Sequence, residues 1–120
     1  MSDSIDAAQV VDAQLAAYNA RDLDRFLAFF ADDPVLRAAD GTEVARGLAA
    51  LSAGYGPWFE GNPALHAEVT GRLVLGDVVV DRERVETAQG LLAALVVYEL
   101  RDGRIIAMTT LAQGPDPSVP

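Results

Sequence analysis

A chain of 120 residues with 51% apolar and 22% charged side chains is long enough to bury one core and too apolar to be disordered over most of its length. Acidic residues outnumber basic ones 18 to 9, for a net charge of -9, and every basic residue is arginine; such a field repels phosphate backbones and anionic headgroups and argues against nucleic-acid and membrane partners. With no cysteine and a single histidine, His66, disulfides, thiolate nucleophiles and multi-histidine metal sites are excluded.

The first half of the chain has helical period. Ala8, Val11, Leu15 and Tyr18 recur at three- and four-residue spacing, which predicts a helix capped by Ser4 or Asp3. After a break at Asn19-Ala20-Arg21, Asp22 is the expected cap of a second helix carrying Leu23, Phe26, Leu27 and Phe30, which Pro34 should end. A short apolar piece, Val35 to Ala38, runs into a turn at Asp40-Gly41. A third helix is expected over Arg46 to Phe59, weakened near its end by Gly54 and Gly56-Pro57.

The second half changes period. Leu65–Leu75, Val78–Thr87, Leu91–Arg101 and Arg104–Leu111 read as strands separated by short glycine-containing connections, so neighbours should pair antiparallel as a meander. Asp102-Gly103 is the clearest hairpin signal. A two-residue turn there places Tyr98 opposite Ala107, and a bulged three-residue loop places it opposite Ile106. The domain should end at residue 113. Gly114 to Pro120, with three prolines in seven residues, is expected to be a flexible tail. The amino-terminal stretch MSDSIDAAQ has no basic residue before Arg21, unlike a signal peptide, and the longest apolar run, Leu91 to Tyr98, falls short of the ~20 residues of a membrane helix; a soluble cytoplasmic domain is expected.

Helices followed by a meander predict an α+β domain. The stretch AAYNARDLDRFLAFFADD, then VARGLAAL, and later LVLGDVVVDRERV and VVYELRDGRIIAMTTL together resemble the SnoaL-like branch of the nuclear transport factor 2-like superfamily, over about Ala8 to Ala112. The resemblance implies three N-terminal helices packed in the concave face of a curved antiparallel sheet, a cone-shaped α+β barrel with a pocket inside, and a homodimer. Because members of this superfamily include isomerases, cyclases, hydrolases and binding proteins without chemistry, it leaves function open. Against the ketosteroid isomerase pattern of an aspartate base with a tyrosine and a protonated aspartate, the corresponding positions here are Ala38, Gln14 and Val96. None of these can exchange a proton, so a standard steroid isomerase is not expected.

Other residues can supply chemistry. Asp81 and Glu83 are two apart in a strand and share one face. Comparison with the isomerase strands turns Val79, Asp81, Glu83 and Val85 toward the concave side, where paired carboxylates in a low-dielectric pocket form a candidate general acid or base; the alternative is a pair of solvated or interfacial acids, paired with arginine across a dimer contact. His66 is a weaker catalytic candidate, because alternation puts Leu65, Ala67 and Val69 on the core face and His66 on the other. Tyr18, Phe30, Tyr55, Trp58, Tyr98 and Met108 are expected to converge on the pocket, with Tyr18 and Tyr98 as polar groups that orient a ligand. No phosphate loop, nucleotide-binding glycine motif or metal-ligand cluster is present in the sequence, so no cofactor and no metal are expected.

Three functions remain in competition. The first is a pocket protein that binds a mainly apolar small organic molecule. The second is a cofactor-independent isomerase, cyclase or hydrolase using Asp81 or Glu83, which requires a carboxylate within reach of the cavity. The third is an interaction domain with a collapsed cavity and an exposed apolar sheet patch.

Overall fold

The computed structural model describes residues 6–116. Helix α1 (Ala7–Asn19) starts at Asp6, whose carboxylate accepts the Ala8 N–H at 2.9 Å. Asp6 is thus the cap in place of Ser4 or Asp3, which lie outside the described residues. At its far end Asn19 accepts the Ala67 N–H at 2.7 Å and donates to the Ala67 carbonyl at 3.0 Å, and Arg21 donates to the Leu65 carbonyl at 3.1 Å. The break read at residues 19–21 is therefore the point where the first helix is tied to the sheet.

Asp22 caps α2 (Leu23–Leu27), as expected, but the helix has only five residues. Phe30 and Pro34 fall in a strand, β1 (Phe30–Arg37). Pro34 does not terminate the helix. It sits in a stretch where the register of β1 against its neighbour shifts, between Phe30 and Val35, a position that does not call on the missing N–H. The turn at Asp40-Gly41 leads into a short edge strand, β2 (Glu43–Arg46), that hydropathy alternation did not reveal because Val44 faces solvent. Helix α3 runs over Leu48–Gly61, two residues later than expected at each end, with Pro57 inside it. Just past its end, the buried Asn62 donates to the Trp58 carbonyl and accepts the Ala88 N–H, both at 2.8 Å.

The remaining strands are β3 (His66–Leu75), β4 (Val78–Thr87), β5 (Gly90–Arg101) and β6 (Arg104–Pro115), and the sheet order is β2-β1-β6-β5-β4-β3. The four-strand meander is antiparallel as read. The sheet as a whole is mixed, however, because β1 pairs parallel to β6. The domain is therefore α+β, with three helices and a six-stranded mixed sheet. Hairpin signals report only strands adjacent in sequence, so the contact between the two ends of the sheet-forming chain left no local trace.

The β5–β6 connection is a two-residue turn with Asp102 at φ 52° and Gly103 at φ 76°, the positive pair that a type I′ hairpin requires. Register then departs from both alternatives. Leu100 faces Ile105, but Glu99 faces Ala107, so Ile106 is an extra residue and Tyr98 lies opposite Met108. A bulge bends the strand locally and re-aims its side chains. The boundary expected at residue 113 also moves: β6 continues to Pro115, and Asp116 is buried, accepting from Arg84 at 2.7 Å and donating its N–H to the Leu91 carbonyl. Residues 117–120 of the expected tail lie outside the described residues.

One core holds the layers together. Val11 and Leu15 of α1, Phe26 of α2 and Leu51 and Phe59 of α3 are buried together with Val79, Val85, Val96, Tyr98 and Ile105 of the sheet. An arginine links the same elements by charge. Arg72 on β3 donates to both oxygens of Asp81 on β4, at 2.6 and 2.9 Å, and reaches Asp12 on α1 at 2.8 Å. Asp81 is fully buried, and Arg72 is the charge paired with it there. Replacing Arg72 by leucine should destabilise the protein by about 3 kcal/mol, the cost of stranding a buried charge. The double change with Asp81→Leu should recover most of that loss. Urea unfolding of the three proteins checks both expectations, and a double variant no more stable than Arg72→Leu would contradict this assignment.

Candidate functional site

The period of β4 dictates the site. Val79, Asp81, Glu83 and Val85 alternate with exposed or half-exposed residues, and all four are buried, so two carboxylates project inward from one strand. Their surroundings separate them. Asp81 is gripped by Arg72 on both oxygens. Glu83, one step along the same face, lines a cavity of about 400 Å³.

That cavity is bounded by α1, α3 and the strands β1, β2, β4, β5 and β6, and most of its wall is apolar, from residues such as Leu15, Leu51, Val85, Leu92 and Val96. Tyr98 donates its hydroxyl proton to Glu83 Oε2 at 2.6 Å. This bond is possible because Tyr98 and Glu83, on neighbouring strands, both face the interior. Tyr18 and Trp58 form a second polar pair: Trp58 donates its indole N–H to the Tyr18 hydroxyl at 2.8 Å. The Tyr18 ring in turn packs against Phe59 at 5.4 Å and Phe26 at 6.0 Å between centroids, and Tyr55 lies 4.6 Å from Phe26.

Burial sets the electrostatics. It pushes the Glu83 carboxyl up to about 7, against the lowering effect of the Tyr98 hydrogen bond; the negative charge of Asp81 adds to the rise and Arg72 opposes it. Burial likewise raises the Tyr18 phenol to about 12, with the Trp58 hydrogen bond opposing. The Tyr98 phenol is held well above its usual range, first by burial and then by the adjacent Glu83. Near neutral pH the cavity thus presents one carboxyl poised between its two forms and phenols that stay protonated. A group in that state can accept a proton and return it.

The predicted site residues separate clearly. Glu83, Tyr18, Tyr55, Trp58, Tyr98 and Met108 all line the cavity. Phe30 does not: it is buried behind the wall, 5.1 Å from Phe26, because it belongs to β1 and not to a helical stripe. Asp81 is buried but lies outside the lining, held in its ion pair. His66 is exposed at the start of β3, opposite Glu86, on the face that alternation assigned to it. Of the positions compared with the isomerase, Gln14 and Val96 line the cavity and Ala38 does not. Gln14 is the site residue whose importance the sequence reading missed. It is 1% exposed, on the same face of α1 as Val10, Val11 and Leu15, and a lone amide on a buried stripe is the signal that marks it.

An α+β fold with an inward-facing carboxyl in an apolar cavity defines a class of small cavity proteins. The family model for the SnoaL-like domain matches residues 11–108, and the chain belongs to that family, with the nuclear transport factor 2-like, ketosteroid-isomerase-like fold. Among solved structures, an uncharacterized cystatin-fold protein from Novosphingobium aromaticivorans is 22% identical with a TM-score of 0.83, covering 90% of this chain and 99% of its own. A SnoaL-like protein of unknown function from Burkholderia thailandensis is 25% identical with a TM-score of 0.72, covering 87% and 91%. IdmH from Streptomyces antibioticus, a proposed polyketide cyclase, is 20% identical with a TM-score of 0.74, covering 88% and 91%. Comparison with curated proteins gives no match.

The raised Glu83 value has a consequence for stability. A carboxyl that titrates near 7 when folded and near its ordinary 4.5 when unfolded binds its proton more tightly in the folded state. Its contribution is therefore complete below about 4.5, falls as pH rises through that interval, and is lost above about 7. Glu83→Gln should be more stable than the parent at pH 8, by on the order of 3 kcal/mol, and the gain should vanish at pH 4. Denaturant midpoints across that range measure it, and a constant difference between the two proteins would rule out the titration.

Proposed function

We propose that this protein takes a mainly apolar small organic molecule into the cavity and exchanges a proton with it through Glu83, acting as an isomerase, cyclase or hydrolase that needs no bound cofactor. The observation that carries this reading is the position of Glu83, a buried carboxyl on an otherwise apolar wall, hydrogen-bonded to Tyr98 and without an arginine of its own. A pure binding site has no need of such a group, and an ionisable side chain kept buried against an apolar wall costs stability that a function must justify. Asp81 supports the site from outside, as the charge that holds Arg72 and raises Glu83. The absence of ionisable groups at Gln14, Val96 and Ala38 supports chemistry distinct from that of a standard ketosteroid isomerase. In the same reading the three helices fill the concave side of a cone-shaped sheet. The protein works in the cytoplasm as a homodimer, to which the exposed Leu73, Val74 and Leu75 next to the β3–β4 turn contribute apolar surface.

The second reading, a carrier without turnover, is favoured by the apolar wall alone. The two separate in an exchange experiment. The apolar ketone 2-tetralone, incubated in deuterated buffer with the protein, should lose its α-protons faster than in buffer alone, along a pH profile with a midpoint near 7. Glu83→Gln should lower the enzymatic rate by about a hundredfold or more, while Asp81→Asn, assayed where it remains folded, should keep most of it. Saturable binding of the ketone with no acceleration of exchange would establish the carrier instead.

A further inference from the structure

The polar groups of the cavity are not equally satisfied. Glu83 and Tyr98 bond to each other, and Tyr18 receives the Trp58 proton. Among the fully buried side-chain polar atoms of the described residues, the exception is Gln14. Its carbonyl oxygen, Oε1, is buried with no hydrogen-bond partner among the described residues, on a side chain that is 1% exposed and lines the cavity. A buried carbonyl without a donor is costly and rare in folded proteins, and no ion pair or cap in the fold uses this one. Stability would be better served by leucine or methionine at this point of α1, where Val10, Val11 and Leu15 are buried alongside it.

Tyr18 is one helical turn further along α1 and faces the same cavity. Its oxygen accepts from Trp58, which leaves its own O–H free to donate. The α1 wall therefore offers an unused acceptor beside an unused donor. A carbonyl or an ether on a ligand answers only the donor, and an ammonium answers only the acceptor. A hydroxyl answers both. Oε1 is itself inaccessible, so a ligand reaches it by turning the amide about the glutamine's soft terminal torsion.

We infer that the ligand of this cavity is an apolar molecule bearing a hydroxyl group, an alcohol or a phenol, which donates to Gln14 Oε1 and accepts from the Tyr18 hydroxyl, and that Gln14 is the residue that selects it. The inference rests on the cavity being the ligand site, as proposed above, and it adds the ligand class and the selecting residue. It also sets the molecule's orientation, with its hydroxyl end against α1.

Matched probes test it. 2-Naphthol and 2-methoxynaphthalene share a ring system, and both can accept from Tyr18, but only the naphthol can donate. By fluorescence titration the protein should bind the naphthol about tenfold or more tightly, the fold-change for satisfying one buried acceptor. Gln14→Met should bind both probes alike, and its melting temperature without ligand should equal or exceed that of the parent, because the variant removes an unmet polar group. Glu83→Gln should keep the preference. Equal binding of the two probes by the parent protein overturns the inference and leaves the apolar cavity in place. So does a preference that survives Gln14→Met, or one abolished by Glu83→Gln, which would seat the hydroxyl on Glu83. A marked fall in the melting temperature of Gln14→Met would make the amide structural and also overturn it. Failure of both probes to bind up to their solubility limits would instead remove the cavity reading on which the inference stands.

Discussion

Strand β4 turns two carboxylates into the protein interior, and the rest of the site follows from how each is compensated. Asp81 and Glu83 are both buried, and a buried charge is costly unless it is paired. Asp81 is paired, by an arginine that also binds α1. Glu83 is not: it has a phenol, which solvates the carboxylate without neutralising it. Two residues of the same chemistry, two positions apart, thereby acquire opposite duties. One fastens α1 to the β3–β4 hairpin, and the other is the acid to which the proposed function assigns proton transfer.

Part of this is legible in the sequence, where Asp81 and Glu83 nonetheless read as one pair of pocket acids. The turn residues Gly76-Asp77 join β3 to β4, and counting outward from a two-residue turn brings Arg72 opposite Asp81, the register observed. The arithmetic that separates the two carboxylates was thus available in the sequence. For Glu83 the same count fails, because a bulge near Gly71 shifts the pairing to Val69. Bulges depend on local strain and packing that no periodicity reports, and the one beyond Asp102-Gly103 is likewise the reason that Tyr98 meets Met108. The helices were legible where one face is apolar, as in α1, and misjudged where the chain switches to strand within a continuous apolar run. Phe30 illustrates this, since it continues the helical stripe of Phe26 on paper but begins β1 in the fold. The edge strand β2 and the parallel pairing of β1 with β6 join segments that no turn connects, so sequence neighbours were silent about both.

The SnoaL-like fold supplies a container, and its chemistry is set by the few polar groups on its wall. In this chain they include a buried acid on the sheet side, Glu83 with Tyr98, and an unsatisfied amide beside a phenol on the α1 side, Gln14 with Tyr18. The arrangement is directional: one wall is suited to hold a ligand's polar end and the other to exchange a proton. An apolar cavity of about 400 Å³ between them is of the size that takes a small organic molecule.

Burial holds Glu83 near its midpoint at neutral pH. Carbon-13 NMR of the protein labelled at glutamate side-chain carboxyls measures it directly, with Glu83→Gln assigning the signal. One glutamate should titrate near 7, and Tyr98→Phe should move it higher, because the phenol's hydrogen bond favours the charged form. A Glu83 signal titrating near 4.5, unmoved by the loss of Tyr98, would mean that the carboxyl is hydrated and that the cavity holds no poised acid.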